Sequence, residues 1–389
     1  MIALTAAALF TPLDRIERPL LLMDDGRVVE LGTRSAREVP SNVRLVDFGD
    51  AIIAPAFVDM HIHGGAGHDV MEADSKALPA IERFLAQHGV GSYFPTTVTA
   101  PLETILAALD RLANAIEAAQ RGGASSDGFR ARPMGIHLEG PFLSHAQRGV
   151  HPPEDLLPPS RGVFECLWQA SRGHLRVMTI APELEGALEV IAEASRRGVC
   201  VSLGHSNADL QAARAGMAAG ARHATHTFNA MRQLHHRDPG ILAEVLTDAT
   251  ITADIIADGV HVDPAIVKLF LLAKGAGSAV LITDATAASG MREGHYRLGS
   301  LEIEVKDGRC LANGKLAGSV LTMDHAVCNV MKFAGWSLQQ AIRPATLNPA
   351  RVTGLAPNQG VIAAGGEADL VILTPSGEVK HTLIRGRGI

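Results

Sequence analysis

Cysteine is scarce and scattered in this sequence. Cys166, Cys200, Cys310 and Cys328 form no C-x-x-C pair, which argues against both a disulfide framework and a zinc ribbon. Basic residues do not run together beyond short pairs such as Arg196-Arg197, and the formal net charge is −6. The electrostatic footprint of a nucleic-acid partner is therefore missing. No stretch of 18 or more apolar residues occurs, and the apolar start of the chain lacks a basic n-region, so neither a membrane span nor a secretory signal is expected. A reducing, cytoplasmic setting is the corresponding expectation. Charged residues make up only 20% against 47% hydrophobic, a balance that excludes disorder and suits a globular protein rich in buried sheet. There is no internal repeat, and the one low-complexity stretch is a loop at 121–128.

Histidine, by contrast, is abundant: 17 of 389 residues. The stretch from Pro55 to Asp69 reads PAFVDMHIHGGAGHD. Its apolar run from Ile52 to Met60 has the length and composition of a strand buried on both faces. The run ends in His61-Ile62-His63. Strand residues i and i+2 project to the same side, so both imidazoles can face one ion. Gly64, Gly65 and Gly67 then allow a tight turn.

From this point the chain alternates strand and helix. Strand-like runs fall at 52–61, 91–97, 133–138, 175–180, 199–203, 221–226, 250–256 and 279–283, with helical patterns at 101–117, 184–197, 208–219 and 264–273. Eight such units predict an α/β protein with a (β/α)8 TIM-like barrel, over about 51–354. A doubly wound open sheet would need a glycine-rich phosphate turn after its first strand, which is lacking. Residues 1–50 and 355–389 read as short strands and turns, and are expected to combine as a small β-sandwich domain. A strand pair at 296–305 and helices at 320–333 and 337–342 complete the reading.

The ends of the predicted strands carry the chemistry. They hold His61 and His63, Glu139, His205, His226, His261 shortly beyond the seventh, and Asp284. A barrel places all its C-terminal strand ends at one mouth. Imidazoles and carboxylates gathered there suit zinc or another borderline divalent ion.

The segments FVDMHIHGG, GIHLEGPFLS, RGVHPPE, LGHSNA, THTFNAM, HHRDPG, IIADGVHV, ITDA and GSVLTMDHA resemble, in this order, the N-acetylglucosamine-6-phosphate deacetylase family of the amidohydrolase superfamily. NPARVTGL and GGEADLVIL extend the match over essentially the whole chain. H-x-H and a final aspartate are common to many amidohydrolases; LEGPF, THTFNAM and ADGVH are far narrower. The fourth strand, LRVMTIAPE, has no lysine, which leaves no place for a carbamylated bridging lysine.

The resemblance implies a metal-dependent amide hydrolase that removes the acetyl group of N-acetyl-D-glucosamine 6-phosphate, with another N-acetylhexosamine 6-phosphate such as N-acetylgalactosamine 6-phosphate as the alternative, in amino-sugar catabolism and cell-wall sugar recycling. It implies a metal site of Glu139, His205 and His226, with Glu139 as bridging carboxylate and His61 and His63 adding a second ion. One or two ions per subunit are expected, zinc first, with iron, manganese or cobalt as alternatives. Asp284 would be the general acid–base and His151 the oxyanion donor. Asn229, Ala230, Arg237 and His261 would hold the phosphate, in a homodimer whose neighbour completes the clamp. His235 and His236 are read as exposed loop residues, and His68, His88, His137 and His223 as structural. The chain departs from the commoner family pattern at Thr286, where methionine is expected. A non-catalytic scaffold would have lost metal ligands, and every one is present.

Overall fold

The computed structural model describes residues 1–36, 39, 43–121 and 129–388. The loop expected at 121–128 lies, beyond Arg121, outside them. Eight parallel strands form the centre: β1 (Phe57–Ile62), β2 (Val90–Thr97), β3 (Ile136–Glu139), β4 (Leu175–Ile180), β5 (Cys200–Leu203), β6 (His223–Ala224), β7 (Thr252–Ile256) and β8 (Ala279–Ile282). They pair in chain order, and β1 pairs β2. Beyond β8 the chain returns to β1: Asp284 N donates to the His61 carbonyl oxygen at 3.0 Å and His63 N to that of Ala285 at 2.8 Å. The result is a nearly closed TIM-like barrel, as the eightfold alternation predicts.

Helices between the strands cover the sheet: α1 (Ala77–Gln87), α2 (Leu102–Arg121), α3 (Arg161–Ala170), α4 (Ala187–Arg196), α5 (Leu210–Ala219), α6 (Gly240–Thr247) and α7 (Pro264–Ser278). Three of them, α1, α3 and α6, are absent from the sequence reading. Pro79 in α1 and the Pro239-Gly240 start of α6 read as breakers, yet a first turn has amide groups with no helical partner to lose. For α3 the start signal is Ser160, whose hydroxyl accepts from Val163 N at 3.3 Å.

The expected first strand is divided. Ile52–Pro55 pairs with Leu370–Leu373 and Ala8–Phe10 in a five-stranded sheet, and only from Phe57 does the chain enter the barrel. Between the two, Ala56 N donates to the Asp369 carbonyl oxygen at 3.0 Å. One apolar run thus serves two sheets. A four-stranded sheet built from Ile2–Thr5, Pro19–Asp24, Arg27–Thr33 and Arg44–Asp47 packs nearby. Leu4, Leu9, Leu21, Ile53, Leu370, Ile372 and Leu383, from both ends of the chain, share one buried core. After β8 the expected strand pair is an antiparallel sheet of four: Gly294–Leu298, Leu301–Lys306, Arg309–Ala312 and Lys315–Leu316. The last two strands are too short to register as periodic runs.

Candidate active site

The histidines and acids of the strand ends meet at the barrel mouth. His61 is near the end of β1 and His63 follows that strand by one residue, and Glu139 closes β3. His205 and His226 follow β5 and β6 by two residues, and Asp284 follows β8 by two. Glu139 is at the centre. Its Oε1 lies 3.2 Å from His205 Nε2, 3.1 Å from His226 Nε2 and 3.5 Å from His61 Nε2. Its Oε2 lies 3.3 Å from His63 Nε2 and 3.5 Å from His151 Nε2. Asp284 Oδ1 is 3.1 Å from His63 Nε2 and 3.5 Å from His61 Nε2. All seven side chains are buried.

These spacings fit a divalent cation. Metal bonds of about 2.0–2.1 Å put neighbouring donors of a tetrahedral site roughly 3.3–3.4 Å apart. The tautomers agree. His63 Nδ1 donates to the Thr96 carbonyl oxygen (2.9 Å) and His205 Nδ1 to that of Gln147 (3.0 Å), so in the neutral rings each Nε2 lone pair faces Glu139. His151 is turned the other way. Its Nδ1 accepts the Thr99 backbone N–H at 3.2 Å, so the proton sits on Nε2 and points into the site. That makes His151 a hydrogen-bond donor, although its distance alone would let it join the cluster with Glu139 and His205.

Three of the residues stand in strained backbone. His205 (φ 47°), His226 (φ 28°) and Asp284 (φ 50°) occupy the left-handed region, at a cost of about 1–3 kcal/mol each. The kink at each strand end belongs to the residue that carries the functional group.

The electrostatics separate the groups. Burial alone would raise the Asp284 carboxyl, but the charge of His61 and the contact with His63 bring it down to about 2, so it is an anion at neutral pH. Glu139 is likewise held well below the usual carboxylate range by its imidazoles, against burial. Burial pushes His205 down to about 4. Burial acts the same way on His226, but Glu139, Asp284 and Asp254 outweigh it and raise the imidazole to about 9. A metal must displace the proton of His226, because only the neutral ring is a ligand. Binding at pH 7 is therefore expected to release about one proton per ion or more, with affinity falling as pH drops below about 9. Calorimetry in buffers of different ionisation enthalpy measures this, and binding without proton release would contradict it.

A cavity of about 240 Å³ opens above the cluster, lined among others by Asn229, Ala230, His261 and the apolar Val98, Leu298 and Leu316. Leu298 and Leu316 come from the inserted sheet, and sequence reasoning missed them. Thr286 does not line the cavity. It packs beneath Gly318, which does: a Cβ on Gly318 would fall 2.5 Å from Thr286 Cγ2, and φ is 57° there. Arg237 is not brought to the cavity; it is exposed, with Nη1 2.9 Å from His236 Nε2. His235 and His236 are exposed as well, whereas His137 is buried against His61, their rings 4.5 Å apart. A larger cavity of about 540 Å³, between α1, α2 and residues 384–387, contains none of the site residues.

The amidohydrolase family matches residues 52–389. N-acetylgalactosamine-6-phosphate deacetylase of Escherichia coli O157:H7 is 40% identical over 349 residues, 90% of each chain. N-acetylglucosamine-6-phosphate deacetylase of Bacillus subtilis (strain 168) is 33% identical over 381 residues, 97% of this chain and 94% of its own. Among solved structures, a mutant N-acetyl-D-glucosamine-6-phosphate deacetylase from Mycobacterium smegmatis in complex with N-acetyl-D-glucosamine-6-phosphate superposes with a TM-score of 0.92. It is 34% identical, over 100% of this chain and 98% of that one. A nearly closed barrel, a cluster at its strand ends that could hold a metal ion and these likenesses give one conclusion: the chain belongs to the amidohydrolase family.

Proposed function

We propose that the protein hydrolyses the N-acetyl amide of N-acetyl-D-glucosamine 6-phosphate to D-glucosamine 6-phosphate and acetate. The observation that carries this is the convergence of five imidazoles (His63, His151, His205, His226 and His261) and two carboxylates on one cavity, in a chain similar over nearly its full length to deacetylases of amino-sugar phosphates. Glu139, His205 and His226 hold one divalent ion, zinc by the nitrogen-rich donor set, and His61 and His63 add a second. Bound by these residues, a divalent ion would supply polarisation of the amide carbonyl and activation of water as a nucleophile at neutral pH. His151 donates its Nε2–H to the oxygen that gains charge as the carbonyl carbon becomes tetrahedral. Asp284, ionised at neutral pH, takes the proton of the attacking water and passes it to the nitrogen as the C–N bond breaks. Acetate and a free amine result. The setting we propose is cytoplasmic amino-sugar catabolism and cell-wall sugar recycling.

The sugar phosphate lies toward Asn229, Ala230 and His261 at the cavity rim. The position of Arg237 outside that rim supports a clamp completed by a second copy of the chain. The outer face of α7 supports a homodimer too: Leu269 is 50% and Leu272 72% exposed, with Ile266 also exposed, more apolar surface than a solvated helix usually carries. We propose further that residues 1–50 and 355–389 form one domain, with the strand Ile52–Pro55 paired into its sheet, and that the rest of 51–354 is the catalytic one.

Arg237→Ala is expected to lower kcat/KM roughly 10- to 150-fold, the worth of one charge-assisted hydrogen bond. The loss belongs mostly in KM, because the phosphate keeps its charge while the amide is cleaved. Equal losses on an unphosphorylated N-acetylhexosamine would remove the assignment. Mixing Arg237→Ala with Asp284→Asn protomers should restore activity if the clamp crosses the dimer.

A second reading keeps the chemistry and changes the sugar to N-acetylgalactosamine 6-phosphate. It is favoured by the 40% identity to the Escherichia coli enzyme. Acetate release from both epimers, with and without phosphate, decides between them: the larger kcat/KM names the substrate. No release from any of them would end the proposal.

A further inference from the structure

The imidazoles around Glu139 are not held alike. His63 and His205 are anchored through Nδ1 by carbonyl oxygens, the support usual for a histidine that ligates through its other nitrogen. The Nδ1 atoms of His61 and His226 are buried with no hydrogen-bond partner. These same two residues give their main-chain N–H to a buried aspartate. Asp59 Oδ1 accepts from His61 at 3.3 Å, and Asp254 Oδ1 accepts from His226.

The need is greatest at His226. Strand β6 covers only His223–Ala224, so the ladder stops short of the residue it must position. The backbone there sits at φ 28°, a conformation that relaxes unless its surroundings impose it. Asp254 supplies the restraint twice, through its carboxylate to His226 N–H and through its own carbonyl oxygen to Thr227 N at 2.9 Å. The carboxylate is braced in turn: Oδ2 lies 2.9 Å from His223 Nε2, and His223 Nδ1 lies 2.7 Å from Thr252 Oγ1. Neither Asp254 nor His223 has any exposed surface. A carboxylate and an imidazole in the barrel wall are costly to bury even when hydrogen-bonded to each other; their site directly behind a functional histidine gives the pair a purpose.

We infer that Asp254, braced by His223, is the positioning residue for His226, holding the strained backbone from which the imidazole projects in place of the ring anchor that His226 lacks. The inference rests on His226 being a metal ligand. The dissociation constant for Zn²⁺, measured on the full-length protein by competition with a chromophoric chelator, tests it beside the melting temperature of the metal-free protein. Asp254→Ala is expected to weaken Zn²⁺ binding about 10- to 100-fold, as loss of an outer support for a ligand does. Asp254→Asn keeps an oxygen for the His226 N–H and should retain most of the affinity. A lower melting temperature with unchanged Zn²⁺ affinity in Asp254→Ala would overturn the inference, since that is the signature of support for the fold alone. If Asp254→Ala does not fold, His223→Ala reads the same chain one link back, and unchanged affinity there overturns it equally. His226→Asn is the control: if it binds Zn²⁺ as the native chain does, the ligand assignment itself has failed.

Discussion

Asp284→Asn is expected to keep its metal and its fold while kcat falls about 10²–10⁴-fold, the usual cost of losing a general acid–base. The substitution preserves size and leaves an oxygen facing His63 Nε2, now 3.1 Å away. It also suits the backbone: at φ 50°, asparagine is among the few residue types that tolerate the left-handed region. What disappears is the anion that takes a proton from water and returns it to nitrogen. KM should change little, because the group acts in the transition state rather than in binding. Turnover near that of the native enzyme, with metal content intact, would sink the assignment of Asp284.

Glu139→Gln should be more damaging, and by a different route. Glu139 lies within 3.5 Å of a ring nitrogen of His61, His63, His151, His205 and His226. It is the negative charge shared by the whole cluster. Glutamine fits the space but supplies a neutral, weaker ligand. Metal should be lost on purification, and turnover should fall by about 10³-fold or more, because the ion provides several kcal/mol of transition-state stabilisation. Replacing His61 and His63 together with asparagine gives the contrast. Stoichiometry should move from about two ions towards one, with activity reduced rather than abolished, since one ion can still activate water. Elemental analysis beside kinetics reads both results, and native metal content in Glu139→Gln would refute the central role of the carboxylate.

The barrel was legible because parallel strands buried on both faces are unbroken apolar runs, and six of the eight runs ended in or shortly before a residue whose chemistry was out of place in a core. His61 and His63 declared a common direction through their i, i+2 spacing. The same continuity concealed the passage from one sheet to another at Ala56, where the apolar run continues. The inserted sheet was half legible: its first two strands are five and six residues long, whereas Lys315–Leu316 is too short to pattern. That hid Leu316 as a wall of the cavity. Second supports were the hardest to see. Asp59 stands two residues before His61, on the same side of β1, and Asp254 is a lone charge in the run TADII; both were signals of a paired buried acid. Their partners, Thr283 and His223, are joined to them only by the fold.

The most direct test of the account is acetate release from N-acetyl-D-glucosamine 6-phosphate by the purified protein, before and after removal of metal with a chelator and again after Zn²⁺ is restored. Release by the native protein, loss after chelation and recovery with Zn²⁺ is the predicted result. Undiminished release from protein shown by elemental analysis to be metal-free would contradict it.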